Sequence, residues 1–429
     1  MQTILSFGKL ALLLSIGFTI LLLTQRKKII LLDIIFLGFC SCTYEWLTNT
    51  TIRFSLPFMN LGITDILSIY LLIAMCITKT NRMPQGIRKP WFVLVAVFLF
   101  GAIRGFVNNN YVLVIEDIRR LIFSFIVPIG CIAVLPFSLT DDDVKKRIKN
   151  YARITICFCI ICWVLDLIGI HVSRAQSDAG TTMRVLRAEQ VQALGLLALE
   201  MAFVDLSSRN HKLGKNTIAL MAVIILLQHR SVWVSFFVGF IYLLVIGKIA
   251  NIDFRKLLHS KKFLTQVFLG VLLVSFLVYF MKDSDLTQKL LLGLQGIRGG
   301  DGTTLAYREQ LWIGHLSNLS PIEWLIGKPF GSGYFVQLAS YSRDLTPHSA
   351  FVQTIIRCGL VGLAAVVSFY FCVLKKARQY RLGYIEAGCV MMLVFYYAYT
   401  YHFYASAVIG LFLATLKREI MYDNIDREG

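Results

Sequence analysis

His348 stands where a long polar stretch gives way to an apolar run, in Asp344-Leu-Thr-Pro-His-Ser-Ala-Phe-Val-Gln-Thr-Ile-Ile-Arg-Cys-Gly-Leu-Val-Gly362. An imidazole titrates near neutrality and can exchange a proton with a substrate at physiological pH. Pro347 fixes the chain ahead of it, and Gly359 and Gly362 permit close helix packing. Arginine recurs in stretches assigned below to the same side of the bilayer: Arg184, Arg187, Arg230, Arg308, Arg343 and Arg357. Several guanidiniums around one imidazole suit a doubly charged phosphate leaving group, because the planar fork binds phosphate oxygens and stays charged at any working pH. For a lipid pyrophosphate bearing a sugar, such arginines stabilise the departing pyrophosphate where other enzymes use a metal, and His348 takes the proton from an attacking hydroxyl. Neither a metal-ligand cluster nor a Ser/His/Asp spacing is evident, so no metal and no cofactor are expected.

The elements that hold these residues must be membrane helices. The 429 residues are 57% hydrophobic and 16% charged, with a mean hydropathy of +0.67, which would leave far too much apolar surface in water. A formal charge of +18 could suggest nucleic acid. The basic residues fall instead in short clusters between apolar runs, the positive-inside pattern, and no nucleic-acid partner is expected. The ten cysteines lie in or beside apolar runs and read as small core residues.

Crossing about 30 Å of hydrocarbon takes roughly 20 helical residues. Suitable runs lie near 4–23, 29–46, 57–77, 91–107, 119–138, 151–170, 190–206, 217–228, 232–247, 263–281, 348–374, 384–399 and 402–416. The expected fold is therefore an all-α polytopic membrane protein with 12–13 transmembrane helices. The first run lacks a basic leader region and a small-residue cleavage site, so it reads as a retained helix. Basic clusters occupy every second connection, from Arg26-Lys27-Lys28 to Lys417-Arg418. This makes those connections cytoplasmic and turns 47–56, 108–118, 171–189, 229–231 and 282–347 outward. Three regions follow: helices over 1–281, a large outer loop over 282–347, and final helices with a cytoplasmic tail over 348–429.

Several polar groups carry competing readings. Asp141-Asp142-Asp143 reads as a solvated helix start rather than a metal motif. Arg174, Arg184 and Arg187 in an outward loop mean either snorkelling at the interface or an anionic ligand. Glu116, Asp117, Arg119 and Arg120 form a self-satisfied charge cluster or part of the same cavity. From Lys215 to Arg230 is 15 residues, about 22 Å of helix, so Gln228-His229-Arg230-Ser231 sits below the outer surface. A recessed Arg230 is a functional candidate unless Asp65, Asp166 or Glu45 pairs with it. The outer loop offers an amphipathic stretch at 286–297, a helix over Thr304 to Leu316, and a glycine-punctuated turn over 327–333, together suited to a lid. The aromatic run from Phe395 to Tyr404 reads as an interface belt, and His402 is set outside the site.

His348-Ser349, nine residues, then Gly359-Leu-Val-Gly362 resembles the His-[Asn/Ser/Gln]-x9-Gly-x-x-Gly motif of the bacterial O-antigen ligase/polymerase family. The long outward loop with Arg308-x3-Trp312 and the recessed His229-Arg230-Ser231 resemble that family over 217–416. The resemblance implies a GT-C-like fold and an inverting, metal-independent glycosyltransferase. Its substrate would be an undecaprenyl-pyrophosphate-linked glycan, met at the periplasmic face of the bacterial inner membrane. It casts His348 as the catalytic residue and Arg230 and Arg308 as pyrophosphate ligands, with Arg184 and Arg187 as further substrate-binding residues. Arg184, ten residues, Gly195 is similar to the Arg-x10-Gly pattern of the polymerases, and His348, ten residues, Gly359 is its counterpart. Trp312 stands where the ligase pattern has leucine. The expected function is therefore polymerisation of repeat units, with a chain-length regulator protein as a possible partner. Ligation to lipid A-core and transport of the lipid-linked oligosaccharide are the alternatives.

Overall fold

The computed structural model describes residues 30–55, 60–77, 82–168, 170, 184–208, 212–246, 265, 304–338 and 341–428. The expected spans at 4–23 and 263–281, the amphipathic stretch at 286–297 and Arg174 lie outside these residues. The described helices are α1 (Ile30–Thr48), α2 (Ile63–Ile77), α3 (Arg88–Asn108), α4 (Tyr111–Ile118), α5 (Val127–Val134), α6 (Asp142–Leu167), α7 (Ala188–Ser207), α8 (Lys215–Leu226) and α9 (Arg230–Ile246). Beyond them come α10 (Thr304–Ser317), α11 (Pro321–Ile326), α12 (Ala350–Gln379), α13 (Gly383–Ala398) and α14 (Phe403–Glu428). Two short antiparallel hairpins complete the description: β1 (Phe54–Ser55) with β2 (Asn60–Leu61), and β3 (Phe335–Leu338) with β4 (Tyr341–Asp344). The protein is an all-α polytopic membrane protein. Five helices, α1, α3, α6, α7 and α12, are long and apolar enough to cross a bilayer, and α2, α8, α9 and α13 are shorter apolar helices.

Between α4 and α5 the chain runs through a π-helical stretch, Arg119–Ile126. Pro128 has no N–H and would crowd the carbonyl four residues back, and the wider turn relieves both problems. The loosened carbonyls find side chains: Ser124 Oγ donates to Arg119 O at 3.0 Å, and Ser68 Oγ of α2 donates to Phe123 O at 2.8 Å.

Helix α7 is the central rod, with 72% of its apolar window buried. Its two buried glutamines hold its neighbours by side-chain hydrogen bonds. Gln190 Nε2 donates to Phe39 O and Thr43 Oγ1 of α1 at 2.8 and 2.9 Å, and Gln192 Oε1 accepts from Ser235 Oγ of α9 at 3.0 Å. Such bonds tie helices together where water cannot compete for the same groups.

The connections expected to be cytoplasmic meet at one end of the bundle. There Asp33 pairs with Arg147 and Tyr151, Arg378 with Glu386, and Arg418 with Asp141. Asp141 precedes the first residue of α6, and its carbonyl accepts from Lys145 N, as the helix-start reading requires. The connections expected to face outward meet at the other end, called the outer end below.

At the outer end, segment 320–334 is seated on the bundle rather than floating above it. Ser320-Pro-Ile-Glu323 starts α11 with a capping box and a proline at its first position. Arg104 of α3 donates to the carbonyls of Ile326 and Gly327 at 2.9 and 3.2 Å, satisfying the helix's far end. Gly101 and Gly105 on α3 leave room for Phe330, since a Cβ on Gly105 would lie 2.7 Å from the Phe330 carbonyl oxygen.

The glycine of the histidine motif has a structural reason. Gly359 breaks α12 with φ 65°, and a Cβ there would lie 2.1 Å from Leu325 O. Gly327, with φ 74°, faces it, and its Cβ would lie 2.3 Å from the Arg357 carbonyl carbon. Two backbones therefore touch directly, and the loosened Ile356 carbonyl accepts from Lys328 N at 2.6 Å.

Arg357 belongs to this seam and not to an outward inventory of ligand-binding arginines. Its side chain is 1% exposed and pairs at 2.8 Å with Asp117, itself 3% exposed. Its guanidinium carbon lies 4.0 Å from the Tyr334 ring centroid, and Nη2 donates to Gly333 O at 2.9 Å. Asp117 also accepts from Gly331 N at 2.7 Å and from Tyr334 Oη at 3.0 Å. The remaining charges of that group are satisfied too, Arg119 by Asp65 and Arg120 by Glu116. Replacing Arg357 with Met strands a buried carboxylate and is expected to cost about 3–5 kcal/mol of stability, seen as a lower unfolding temperature of the detergent-solubilised protein. Adding Asp117→Asn should recover most of the loss, since the amide oxygen still accepts from Gly331. A double variant no better than the single one contradicts this account of the seam.

Candidate functional site

Four chain segments place their side chains together at the outer end. Trp46 Nε1 of α1 donates to Arg184 O at 2.7 Å, which fixes the stretch ahead of α7. Arg187 is the residue before α7, and its N–H is taken by Gln190 Oε1 at 3.1 Å. Helix α8 has 12 residues, roughly 18 Å of rise, so the turn to α9 lies recessed as its length predicts. In that turn Gln228 adopts φ 57°, and His229 is buried with Nε2 at 2.8 Å from Leu186 O. The fourth segment is the α13–α14 connection with Tyr399 and His402.

These segments wall a cavity of about 390 Å³. Arg184, Arg187, His229 and Tyr399 are among its lining residues. The end of α1 and the turn after it contribute Glu45, Trp46, Asn49, Thr50 and Thr51, and the start of α7 contributes Ala188 and Glu189. Glu45 is committed, pairing with Arg187 at 3.6 Å and accepting from Ile52 N at 2.6 Å. The Nε atoms of Arg184 and Arg187 are both buried and have no hydrogen-bond partner. Arg184 and Arg187 thus bring two positive groups to one void, a chemistry that would suit anionic oxygen.

Arg308 and His348 reach the same cluster through Tyr399. The guanidinium carbon of Arg308 lies 5.7 Å from the Tyr399 ring centroid, and its Nη1 donates to Ala398 O at 2.9 Å. His348 is placed by its neighbour: Ser349 caps α12 and donates its hydroxyl to Tyr396 O at 3.2 Å, and Ala350 N donates to Tyr399 O at 2.8 Å. The ring of His348 is exposed on its open side. The protein around the rest of it lowers its pKa, with the charge of Arg308 and the nearby His402 adding to that effect. Burial also lowers the pKa of Arg184, a shift that Arg230 reinforces and Tyr399 opposes. Tyr399 is pushed up to about 12, mainly by burial, with Glu189 raising it and Arg308 and Arg184 lowering it.

Of the residues singled out in the sequence, Arg184 and Arg187 line the cavity directly. Arg308 lies against its wall, and His348 and Arg230 are its electrostatic neighbours through Arg308 and Arg184. Two of the carboxylates considered as partners for Arg230 are engaged elsewhere, Asp65 with Arg119 and Glu45 with Arg187. Arg343 lies in β4. Trp312 is buried against Tyr397, with ring centroids 5.1 Å apart. Within the final hairpin Tyr399 lines the cavity, whereas His402 is not among the lining residues. Sequence reasoning passed over Tyr399 because nothing marks it among its aromatic neighbours, and over Glu189 because the arginines beside it drew the attention. Among the described residues, no group of three or more His, Cys, Asp or Glu side chains is arranged to hold a metal ion.

The sequence model of the O-antigen ligase family matches residues 216–367. This matched stretch, 152 of the 429 residues, is similar to an O-antigen ligase domain. That domain supplies Arg230, Arg308, His348 and the Gly359 kink, whereas Arg184, Arg187 and Tyr399 reach the site from outside it. No curated protein matches the chain.

The unmet arginine donors lead to a measurable outcome that requires no assay of activity. Inorganic pyrophosphate should raise the unfolding temperature of the wild-type protein in detergent, by mass action on the folded state. Arg184→Gln with Arg187→Gln should abolish that rise, and added salt should weaken it in the wild type. Equal stabilisation of the double variant places the anion elsewhere.

Proposed function

We propose that the protein is a metal-independent, inverting glycosyltransferase that joins glycan repeat units carried on undecaprenyl pyrophosphate. It works at the periplasmic face of the bacterial inner membrane, with a chain-length regulator protein as a candidate partner. The observation that supports this reading is a cavity lined by Arg184, Arg187 and Tyr399, with Arg308 over the Tyr399 ring and Arg230 and His348 within electrostatic reach of Arg184 and Arg308, at the end where the basic clusters are not. The O-antigen ligase family match over 216–367 supports the same class of chemistry.

In this reading a hydroxyl oxygen of the acceptor attacks the anomeric carbon of the donor sugar, and the bond from that carbon to the pyrophosphate oxygen breaks. The pyrophosphate leaves with the bonding electron pair, and the arginines carry its developing charge. His348 takes the hydroxyl proton. A single displacement of this kind inverts the anomeric centre. The pKa of His348 is lowered by the surrounding protein first and by Arg308 second, which keeps the ring neutral and ready to accept a proton. A second reading, transfer of the finished glycan to a lipid acceptor, is favoured by the ligase description of the matched family.

His348→Ala should abolish long-chain glycan in cells, with a rate loss of about 10²–10⁴-fold in membranes. Unchanged polymer would return the transporter alternative to the front. Deletion separates the two transferase readings where the glycan ends on a lipid core: a missing polymerase leaves cores bearing one repeat unit, and a missing ligase leaves bare cores. The pH profile checks the role of the imidazole. A base with a lowered pKa stays unprotonated in more acid solution, so the acid limb should fall below the ordinary value of 6.5. Arg308→Gln removes a positive charge, raises the pKa of His348 and should move that limb to higher pH. An acid limb that stays in place in the variant argues against His348 as the titrating base.

A further inference from the structure

We infer that the cavity holds a saccharide subsite beside its pyrophosphate side, centred on Glu189 and continued by Asn49, Thr50 and Thr51. The inference rests on the function proposed above and goes further, by assigning named lining residues to the sugar. An arginine-only pocket would suit a bare pyrophosphate. This one contains a carboxylate that a pyrophosphate would repel. Glu189 lines the cavity with Arg184 and Arg187, yet among the described residues it makes neither a hydrogen bond nor an ion pair. Glu45, by contrast, neutralises Arg187 and is held by Ile52 N.

A carboxylate kept beside guanidiniums without closing onto them is set to accept hydrogen bonds from a bound group rich in donors. Sugar hydroxyls are such donors, and phosphate oxygens are not. The adjoining wall has matching chemistry. Asn49, held at φ 52° just past the end of α1, and the hydroxyls of Thr50 and Thr51 present neutral donors and acceptors to the same void. The cavity thus offers cations for the phosphates together with a carboxylate, an amide and hydroxyls for the glycan.

The test compares two probes on the full-length protein in nanodiscs: undecaprenyl pyrophosphate alone, and the lipid-linked repeat unit extracted from the source cells. Glu189→Gln should weaken binding of the glycan-bearing lipid by roughly tenfold or more, the loss expected for hydrogen bonds to a charged group. Binding of the bare pyrophosphate lipid should stay the same or tighten, because the substitution removes a like charge. Glu189→Asp, measured beside it, should retain part of the glycan preference if the carboxylate itself matters. An unchanged affinity for the glycan-bearing lipid in Glu189→Gln overturns the subsite. Equal weakening of both probes also overturns it, since the carboxylate would then be ordering the cavity as a whole. Failure of the wild type to bind even the bare pyrophosphate lipid is a different result, and it removes the proposed function beneath the inference.

Discussion

A helix that breaks inside a bilayer must find partners for the backbone groups it releases, because no water is there to take them. Helix α12 breaks at Gly359, and the answer comes from the outer loop. Lys328 N reaches the loosened Ile356 carbonyl, and Gly327 and Gly359 let the two backbones touch. Once that contact forms, Arg357 is enclosed and must bring its counter-charge with it, which Asp117 supplies from α4. The loop is thereby pinned to α3, α4 and α12 at once. Helix α10 precedes this anchored segment and lays Arg308 on the carbonyl that ends α13. One glycine in a transmembrane helix thus governs where a loop arginine stands relative to His348, only eleven residues before that glycine.

The two ends of the bundle treat charge differently. At the cytoplasmic-cluster end Asp33, Glu386 and Asp141 each hold an arginine, and Lys417 Nζ donates to the carbonyls of Ala133 and Leu135 at 3.0 Å. Those groups are spent on fastening helices. At the outer end Arg184 and Arg187 keep buried Nε donors without partners, and Glu189 lines the same void without an ion pair. Leaving polar groups unmet costs stability, and at the outer end that cost falls on residues that line a cavity.

Much of this was legible in the sequence, for reasons that can be named. Apolar run lengths located the described helices, because hydrocarbon thickness leaves little choice. The shortness of α8 was legible in the short apolar run that follows Lys215. The two-residue strands β1 and β2 and the β3–β4 hairpin were not foreseen, since their pairing depends on neighbours that no local period reports. The helix over residues 111–134 starts earlier than its apolar run because Asn110 caps it by accepting from Val112 N at 2.9 Å, with Glu116 and Asp117 inside it. Arg357 was read as outward because its number lies close to His348. In a helix, nine residues are two and a half turns, enough to carry a side chain to the opposite face and well below the surface.

Tyr399 shows why the site itself was harder to read than the scaffold. Its role comes from three features that share no sequence neighbourhood: the Arg308 guanidinium against its ring, the Ala350 N–H on its carbonyl, and its place in the cavity lining with Arg184 and Arg187. Each ties it to a different segment, so the tyrosine acts as the joint between the loop arginine, the start of the histidine helix and the arginine-lined cavity. The identity of that joint is set by packing, and its ring meets the cation face-on, a geometry suited to a cation–π contact. A matched domain that begins at residue 216 therefore cannot build the site alone: the arginines before α7 must be brought to it, and α7, held to α1 and α9 by its buried glutamines, is what brings them.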